Sequence, residues 1–329
     1  MLNFFHFQVT VIGSGNWGSV IGKIVATNAR NSYIFNDDKV MQKLNLQYTI
    51  CQRACQTLAA SGGFHPNAKA ISLIKGLYVD DLHKPKLSSE IIKETLGLEC
   101  CVLSGANVAK DVADEQFCEA TIGYTDMESA IIWQQLLDTP YFKINGVPDV
   151  AGVEVCGAVK NVIALAAGFC DGLSFGTNTK AAIIRQGFEE LRRFATYFYN
   201  GLVEETFFDS AGIADTITTC FGGRNVKCAA EFVKCQGSKT WPMIENEMLN
   251  GQKLQGTLTC EDIYKILKQH DLNKMFPLFS ATYRVAFEGF PASEIVNIFK
   301  VVGSLRPIRP MSACNPCLVP TLLKEVDQE

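Results

Sequence analysis

The hexapeptide Gly13-Ser14-Gly15-Asn16-Trp17-Gly18 constrains this chain more than any other stretch. It follows residues 7–12 (FQVTVI), a short, β-branched, apolar run that reads as a buried strand. From Asn16 onward, Val20, Ile21, Ile24 and Val25 recur at helical spacing, so a helix opens inside the turn. In that context each glycine has a reason. The first permits the tight turn, the second lets a ligand approach the backbone, and the third lets helix and strand pack closely. The helix start then presents unpaired N–H groups and a positive dipole end, which suit a dinucleotide pyrophosphate.

The next residues extend the same pattern. Residues 33–35 (YIF) read as a second strand, and the acidic pair Asp37 and Asp38 follows it. An acidic side chain about 20 residues past the glycine turn accepts from the adenosine ribose hydroxyls and repels a 2′-phosphate, which favours NAD over NADP. Residues 70–74 (AISLI) and 100–103 (CCVL) are further buried-strand candidates, with a helical pattern over 88–96 between them. This alternation predicts an α/β fold with a Rossmann-type parallel sheet over residues 1–148. Past Pro148 the patterns turn helical: 153–168, 180–198, 215–220, 228–236, 261–269 and 276–287. They predict an all-helical second domain over 149–302. Residues 303–329, with Pro307, Pro310, Pro316 and Pro320, read as an irregular tail.

Composition narrows the partners. The formal net charge is −4, from 34 acidic and 30 basic side chains, so no basic surplus advertises nucleic acid. Any anionic ligand must be captured by a local cluster. No uninterrupted apolar run reaches the ~18 residues of a membrane span. Residues 1–7 lack the cationic start and cleavage site of a signal peptide. The 13 cysteines are scattered and odd in number, and Cys314 and Cys317 form a C-x-x-C without a second pair, so reduced thiols without a metal are expected.

Two lysines stand among apolar neighbours. Lys75 follows AISLI at the strand end where open α/β sheets bind ligands. Lys160 lies in VCGAVKNVIALAAG; burial there would lower its pKa and let it exchange a proton with a substrate oxygen, although a lysine snorkelling from a core helix fits the composition equally. Asp215 and Thr219, four apart, share one helical face. Gly222, Gly223 and Arg224 follow, and an arginine fork beside exposed N–H groups clamps a phosphate well, although a glycine-capped helix with a surface arginine reads the same way.

Taken together, the blocks VIGSGNWGS, ISLIKG, SGANVAKDVADEQFCEATIG, EVCGAVKNVIALAAGFCDGLSFGTNTKAAIIR, GIADTITTCFGGRN and LNGQKLQG resemble the NAD-dependent glycerol-3-phosphate dehydrogenases. The resemblance spans about residues 9 to 299, with the blocks in family order. It implies interconversion of sn-glycerol 3-phosphate and dihydroxyacetone phosphate, with hydride passing to or from the nicotinamide of NAD. Lys160 would be the general acid/base. Asp215 and Lys75 would orient it and stabilise the oxyanion, while Asn107 and Thr219 would hydrogen-bond the substrate and Asn161 would touch it near Lys160. Arg224 and Asn225 would hold the phosphate. Gly13, Ser14, Gly15, Asn16, Trp17 and Gly18 would bind the cofactor, with Phe35 at the adenine end. Lys75, Arg224, Lys253 and Gln255 would also touch it, the last two from a closing loop. The family commonly forms homodimers, and a cytoplasmic location is expected.

One departure stands out. Residues 39–69 hold only 31 residues where the family spends far more, including a V-P-x-Q-F type block beside the cofactor. The sheet is therefore expected to lack about two strands. The alternative to an active enzyme is a catalytically impaired isoform acting as a binding or dimerisation partner.

Overall fold

The computed structural model describes residues 9–12, 16–28, 32–35, 47–62, 68–80 and 84–301. Gly13, Ser14, Gly15, Asp37 and Asp38 lie outside them, as do residues 1–8, the rest of 36–46, Cys314, Cys317 and the tail.

Strand β1 (Val9–Ile12) runs into helix α1 (Asn16–Asn28) and then β2 (Ser32–Phe35). β1 and β2 pair in parallel with Ile12 opposite Phe35. The α1 face read from the sequence is buried: Val20, Ile21, Ile24 and Val25 share a core with Leu103, Ile122, Leu137 and Phe142. Helix α2 (Gln47–Ser61) leads towards β3 (Ala70–Ser72), a short hairpin β4 (Tyr78–Val79) and β5 (Pro85–Lys86), and α3 (Ser88–Leu96). Then come β6 (Cys100–Ser104), α4 (Ala109–Ala113), β7 (Cys118–Gly123), α5 (Met127–Leu137) and β8 (Phe142–Val147).

A four-stranded sheet orders these strands β3-β6-β7-β8. β3 with β6 and β7 with β8 are parallel, as the α/β alternation requires, while β6 and β7 are antiparallel. The five-residue α4 accompanies this reversal; β7–α5–β8 forms a parallel crossover. All five residues of β6 are buried, which explains the uninterrupted CCVLS. Among the described residues, β1 and β2 pair with each other and not with this sheet.

The remainder is helical: α6 (Val150–Gly172), α7 (Thr177–Phe198), α8 (Glu204–Phe208), a π-helical turn (Ser210–Ala214), α9 (Asp215–Gly222), α10 (Arg224–Lys234), α11 (Trp241–Leu249), α12 (Gln255–Gln269), α13 (Pro277–Phe287) and α14 (Glu294–Val301). α6 is the axis of this part. Asp149 caps its start, accepting from Gly152 N at 2.7 Å, and every residue from Gly152 to Cys170 is buried. By length and composition α6 could cross a bilayer, yet 89% of its most apolar window is buried inside the protein. Glu154 and Lys160 interrupt its apolar run, so a search for unbroken stretches passes it by. It is a core helix.

Eleven cysteines are free thiols among the described residues, ten of them buried.

Helix α10 lies against α6 at two glycines. A Cβ on Gly168 would stand 2.5 Å from Val226 O and 2.6 Å from Ala229 Cβ; one on Gly172 would stand 2.7 Å from Ala230 O. Because backbone must yield, Gly168→Ala should destabilise by about 1–3 kcal/mol, despite the ~1 kcal/mol by which alanine is the better helix former. Urea denaturation tests this; an unchanged midpoint would mean the helices part freely.

Candidate active site

Lys160 sits mid-helix in α6, 5% exposed, and its ammonium donates to Asp215 Oδ1. Asp215, 2% exposed, opens α9 directly after the π-helical turn. Its other oxygen, Oδ2, accepts from Lys75 Nζ at 3.1 Å and from Ser104 Oγ at 3.3 Å. Lys75 also donates to Asn107 Oδ1 and Gly105 O, both at 3.4 Å. Strand β3 ends at Ser72, so Lys75 comes three residues beyond it, while Ser104 is the last residue of β6. Both leave the sheet at its C-terminal edge, the expected ligand-binding side of an open α/β sheet. Four elements distant in sequence therefore converge on one carboxylate.

The electrostatics follow from this packing. Burial first, and then the Lys75 charge, push the Lys160 ammonium down to about 7, although Asp215 opposes them. Burial would raise the Asp215 carboxyl; Lys75 and then Lys160 outweigh it and hold it below the usual range. Lys75 keeps its side chain 25% exposed, so the cluster has one lysine sealed in the core and one reaching solvent. A lysine that titrates near neutrality beside a fixed cation can exchange a proton with a substrate oxygen.

The residue after Lys160 starts a second chain of contacts. Asn161 Oδ1 accepts from Asn225 Nδ2 at 2.9 Å, and Asn225 Oδ1 accepts from Gly256 N at 2.9 Å. Next to Asn225, Arg224 is exposed and opens α10 without an acidic residue in the first turn. A helix start of this kind, with an arginine on it, suits an anionic phosphate. Arg224 donates to Gln252 Oε1 at 3.0 Å. Thr219 is half-buried one turn before Gly223.

The site residues expected from the sequence fall into three groups. Lys75, Asn107, Lys160 and Asp215 form one hydrogen-bonded cluster, and Asn161 and Asn225 are joined to each other beside it. Lys253 lies in the turn before α12 and Gln255 opens that helix. Lys253 is paired with Glu245 Oε2 at 2.8 Å, and Gln255 donates to Thr259 Oγ1 at 3.3 Å. The turn is anchored because Leu254 is buried and its N–H donates to Glu245 at 3.0 Å.

At the glycine turn, Asn16, Trp17 and Gly18 form the first residues of α1, and Phe35 closes β2. The Trp17 ring packs 6.3 Å from Phe142, so it serves the core. Parallel strands ending together beside a helix start that carries no acidic residue fit an anionic dinucleotide.

Sequence reasoning missed two serines. Ser104 had a signal, a hydroxyl closing an otherwise apolar strand at the ligand-facing edge. Ser210 had none. Its hydroxyl accepts from Ala106 N at 3.1 Å and donates to Glu119 O at 2.9 Å, so the π-helical turn before Asp215 also holds the loop carrying Asn107.

Comparison with known proteins agrees with this arrangement. Residues 45–130 match the N-terminal and residues 149–297 the C-terminal family model of NAD-dependent glycerol-3-phosphate dehydrogenase. The chain is 42% identical to human cytoplasmic glycerol-3-phosphate dehydrogenase [NAD(+)], with 88% of this chain and 96% of the relative covered. It is 39% identical to the Cuphea lanceolata enzyme, at 88% and 91% coverage. The solved Plasmodium falciparum glycerol-3-phosphate dehydrogenase superimposes with a TM-score of 0.81 at 38% identity, covering 92% of this chain and 97% of that one. A Dunaliella salina structure gives 0.82 at 32% identity over 89% of this chain, which spans 60% of that longer one. The human alignment runs over 342 positions, whereas 88% of 329 residues is about 290, so about 52 positions are gaps in this chain. With the four-element cluster and these relatives together, the chain belongs to the NAD-dependent glycerol-3-phosphate dehydrogenase family.

Proposed function

We propose that this protein interconverts sn-glycerol 3-phosphate and dihydroxyacetone phosphate with NAD, and that Lys160 moves the proton. The observation that carries this reading is the buried Lys160–Asp215–Lys75 cluster, one residue away from the Asn161–Asn225 link that leads to Arg224. That spacing suits a substrate with a reacting carbon at one end and a phosphate at the other.

When bound, the nicotinamide of NAD supplies or accepts the hydride. The chain does the rest. In the reducing direction Lys160 Nζ gives its proton to the developing alkoxide; in the oxidising direction the neutral amine removes the proton from the hydroxyl. Asp215 keeps the amine aimed. Lys75 stands beside the oxyanion, and Asn107 and Thr219 donate further hydrogen bonds to the substrate. Arg224, Asn225 and the start of α10 hold the phosphate, and Asn161 fixes the substrate's middle. Gly13, Ser14, Gly15, Asn16, Trp17 and Gly18 offer main-chain N–H groups to the pyrophosphate, with Phe35 at the adenine end. Lys253 and Gln255 stand at the cofactor edge of the same site.

The coarser organisation is proposed with it. Residues 1–148 form the cofactor domain, shortened around 39–69; 149–302 form the helical substrate and dimerisation domain. We propose a cytoplasmic homodimer: human and rat relatives are named cytoplasmic, while an Arabidopsis thaliana relative is named chloroplastic. No observation favours an impaired isoform, since every polar group of the cluster is retained.

Three measurements test the reading. The chain should oxidise NADH with dihydroxyacetone phosphate, followed by absorbance, and Lys160→Ala should lower kcat by about 10²–10⁴-fold. A folded protein that neither binds NADH nor turns over would sink it. Because Lys160 lies at about 7, the protonated form is lost above that pH. Ketone reduction should therefore decline above about pH 7 while alcohol oxidation rises through the same range, and coincident profiles in the two directions would exclude Lys160 as the proton carrier. Asp215→Asn leaves two ammonium groups without their carboxylate, one of them buried. Unfolding free energy should drop by about 3–5 kcal/mol at acidic pH. The loss should shrink as the pH rises towards 7, because above the folded pKa Lys160 is neutral in both folded proteins and their stabilities then change with pH in the same way. A pH-independent loss would mean Lys160 is not the group left exposed to that penalty.

A further inference from the structure

Asp215 receives three donors, but only one of them is fixed to the sheet. Lys75 is partly solvated on a four-carbon stem, and Lys160 is the group that must change its charge. Ser104, by contrast, is 2% exposed on a strand buried at every position, and its Oγ is 3.3 Å from Asp215 Oδ2. The hydroxyl lies under α6. A Cβ built on Gly157 would stand 2.7 Å from Ser104 Oγ and 3.5 Å from Ser104 Cβ, so the oxygen fills the space that a side chain at 157 would need. Glycine in a helix interior is otherwise worse than alanine by about 0.5–1 kcal/mol. Lys160 is one turn further along the same helix.

We propose that Ser104 and Gly157 form one positioning unit, in which the buried Ser104 hydroxyl, given room by Gly157, holds the Asp215 carboxylate so that one oxygen faces Lys160 and the other faces Lys75. A carboxylate turns easily about its terminal bond unless donors from separate directions hold it, because that torsion is broad. Ser104 is the uncharged donor among the three and sits on a fully buried strand. Ser104 is sealed in the core with its hydroxyl on Asp215, so it acts through that carboxylate. The inference rests on the proposed reading of Lys160 as the proton carrier.

The test uses the full chain as wild type, Ser104→Ala, Gly157→Ala and the double variant. Ser104→Ala should lower kcat about tenfold with KM for dihydroxyacetone phosphate within about twofold, since orientation is lost while the phosphate site is untouched. The Lys160 midpoint should move down, because the loosened carboxylate supports the ammonium less. That midpoint is read from the pH profile and, independently of turnover, from NMR of ¹³C-labelled lysine. Gly157→Ala pushes on the hydroxyl and should reproduce both effects. The double variant should be no worse than either single one, because the added methyl then meets no oxygen. Additive losses, or a wild-type midpoint in Ser104→Ala, would overturn the unit. If the wild-type chain folds but does not turn over, the activity reading fails, and the lysine titration still decides the role of Ser104. Should Ser104→Ala fail to fold, the Gly157→Ala titration carries the same decision: a shifted midpoint supports the unit and an unshifted one refutes it.

Discussion

Placing a lysine inside an apolar helix is the constraint around which the rest of this structure is arranged. An isolated buried ammonium is costly, and such groups are retained only when paired or when their pKa moves. Lys160 does both: Asp215 meets it, and burial together with Lys75 brings it down to about 7. The pairing demands that Asp215 arrive at one point against α6. A π-helical turn sets where α9 begins, and such turns often mark functional sites. Ala211 N donates to Thr121 Oγ1 at 3.1 Å and Ser210 bonds both β7 and the Asn107 loop, so the turn is fastened to the sheet. The sheet thus locates the acid that keeps the helix lysine in place.

The same device recurs away from the reacting groups. Helix starts carry unpaired N–H groups, and several here are met by buried carboxylates from distant elements. Glu154 of α6 accepts from Ser88 N at 2.6 Å and Ser89 N at 3.3 Å, capping α3. Glu190 of α7 accepts from Leu278 N at 2.9 Å and Phe279 N at 3.0 Å, capping α13. Burial pushes both up to about 7, against the hydrogen bonds they accept. Asp149 caps its own helix and also accepts from Thr206 Oγ1 at 2.8 Å. These contacts fix the angles at which short helices leave α6 and α7, and they hold the site without a single long-range covalent link among the described residues.

How much of this the sequence carried depends on whether a feature is local. Strand-turn-helix at the glycine turn, the buried face of α1, the buried strand CCVLS and the apolar α6 are period-and-composition signals, and each was readable. Lys160 and Lys75 stood out because charge was out of place around them. What could not be read is what distance in space decides. The antiparallel entry of β7 follows from a short connection, not from its own residues. Strands β7 and β8 and helices α8, α11 and α14 lacked enough contrast with their neighbours. Ser104 was visible only as one hydroxyl at a strand end; its partner is 111 residues away. Lys253 and Gln255 fall on either side of a helix start, with buried Leu254 between them, and that boundary has no local signal in the sequence.

In the proposed reaction, the distance between Lys160 as proton carrier and Arg224 as phosphate clamp ties fold to chemistry. A bifunctional substrate reacts only if both ends are held at once, and an error of about 1 Å can cost about 10²-fold in rate. Here the two functions sit on adjacent residues in each of two helices: Lys160 beside Asn161, and Arg224 beside Asn225. Covalent adjacency fixes each pair, so the only adjustable quantity is how α6 meets α10. That meeting is set at Gly168 and Gly172, where nothing larger than hydrogen fits, and it is locked by the Asn161–Asn225 bond. Packing two helices backbone to backbone leaves little sliding freedom, because any shift drives main-chain atoms together. The spacing therefore comes from the helical core and not from the sheet.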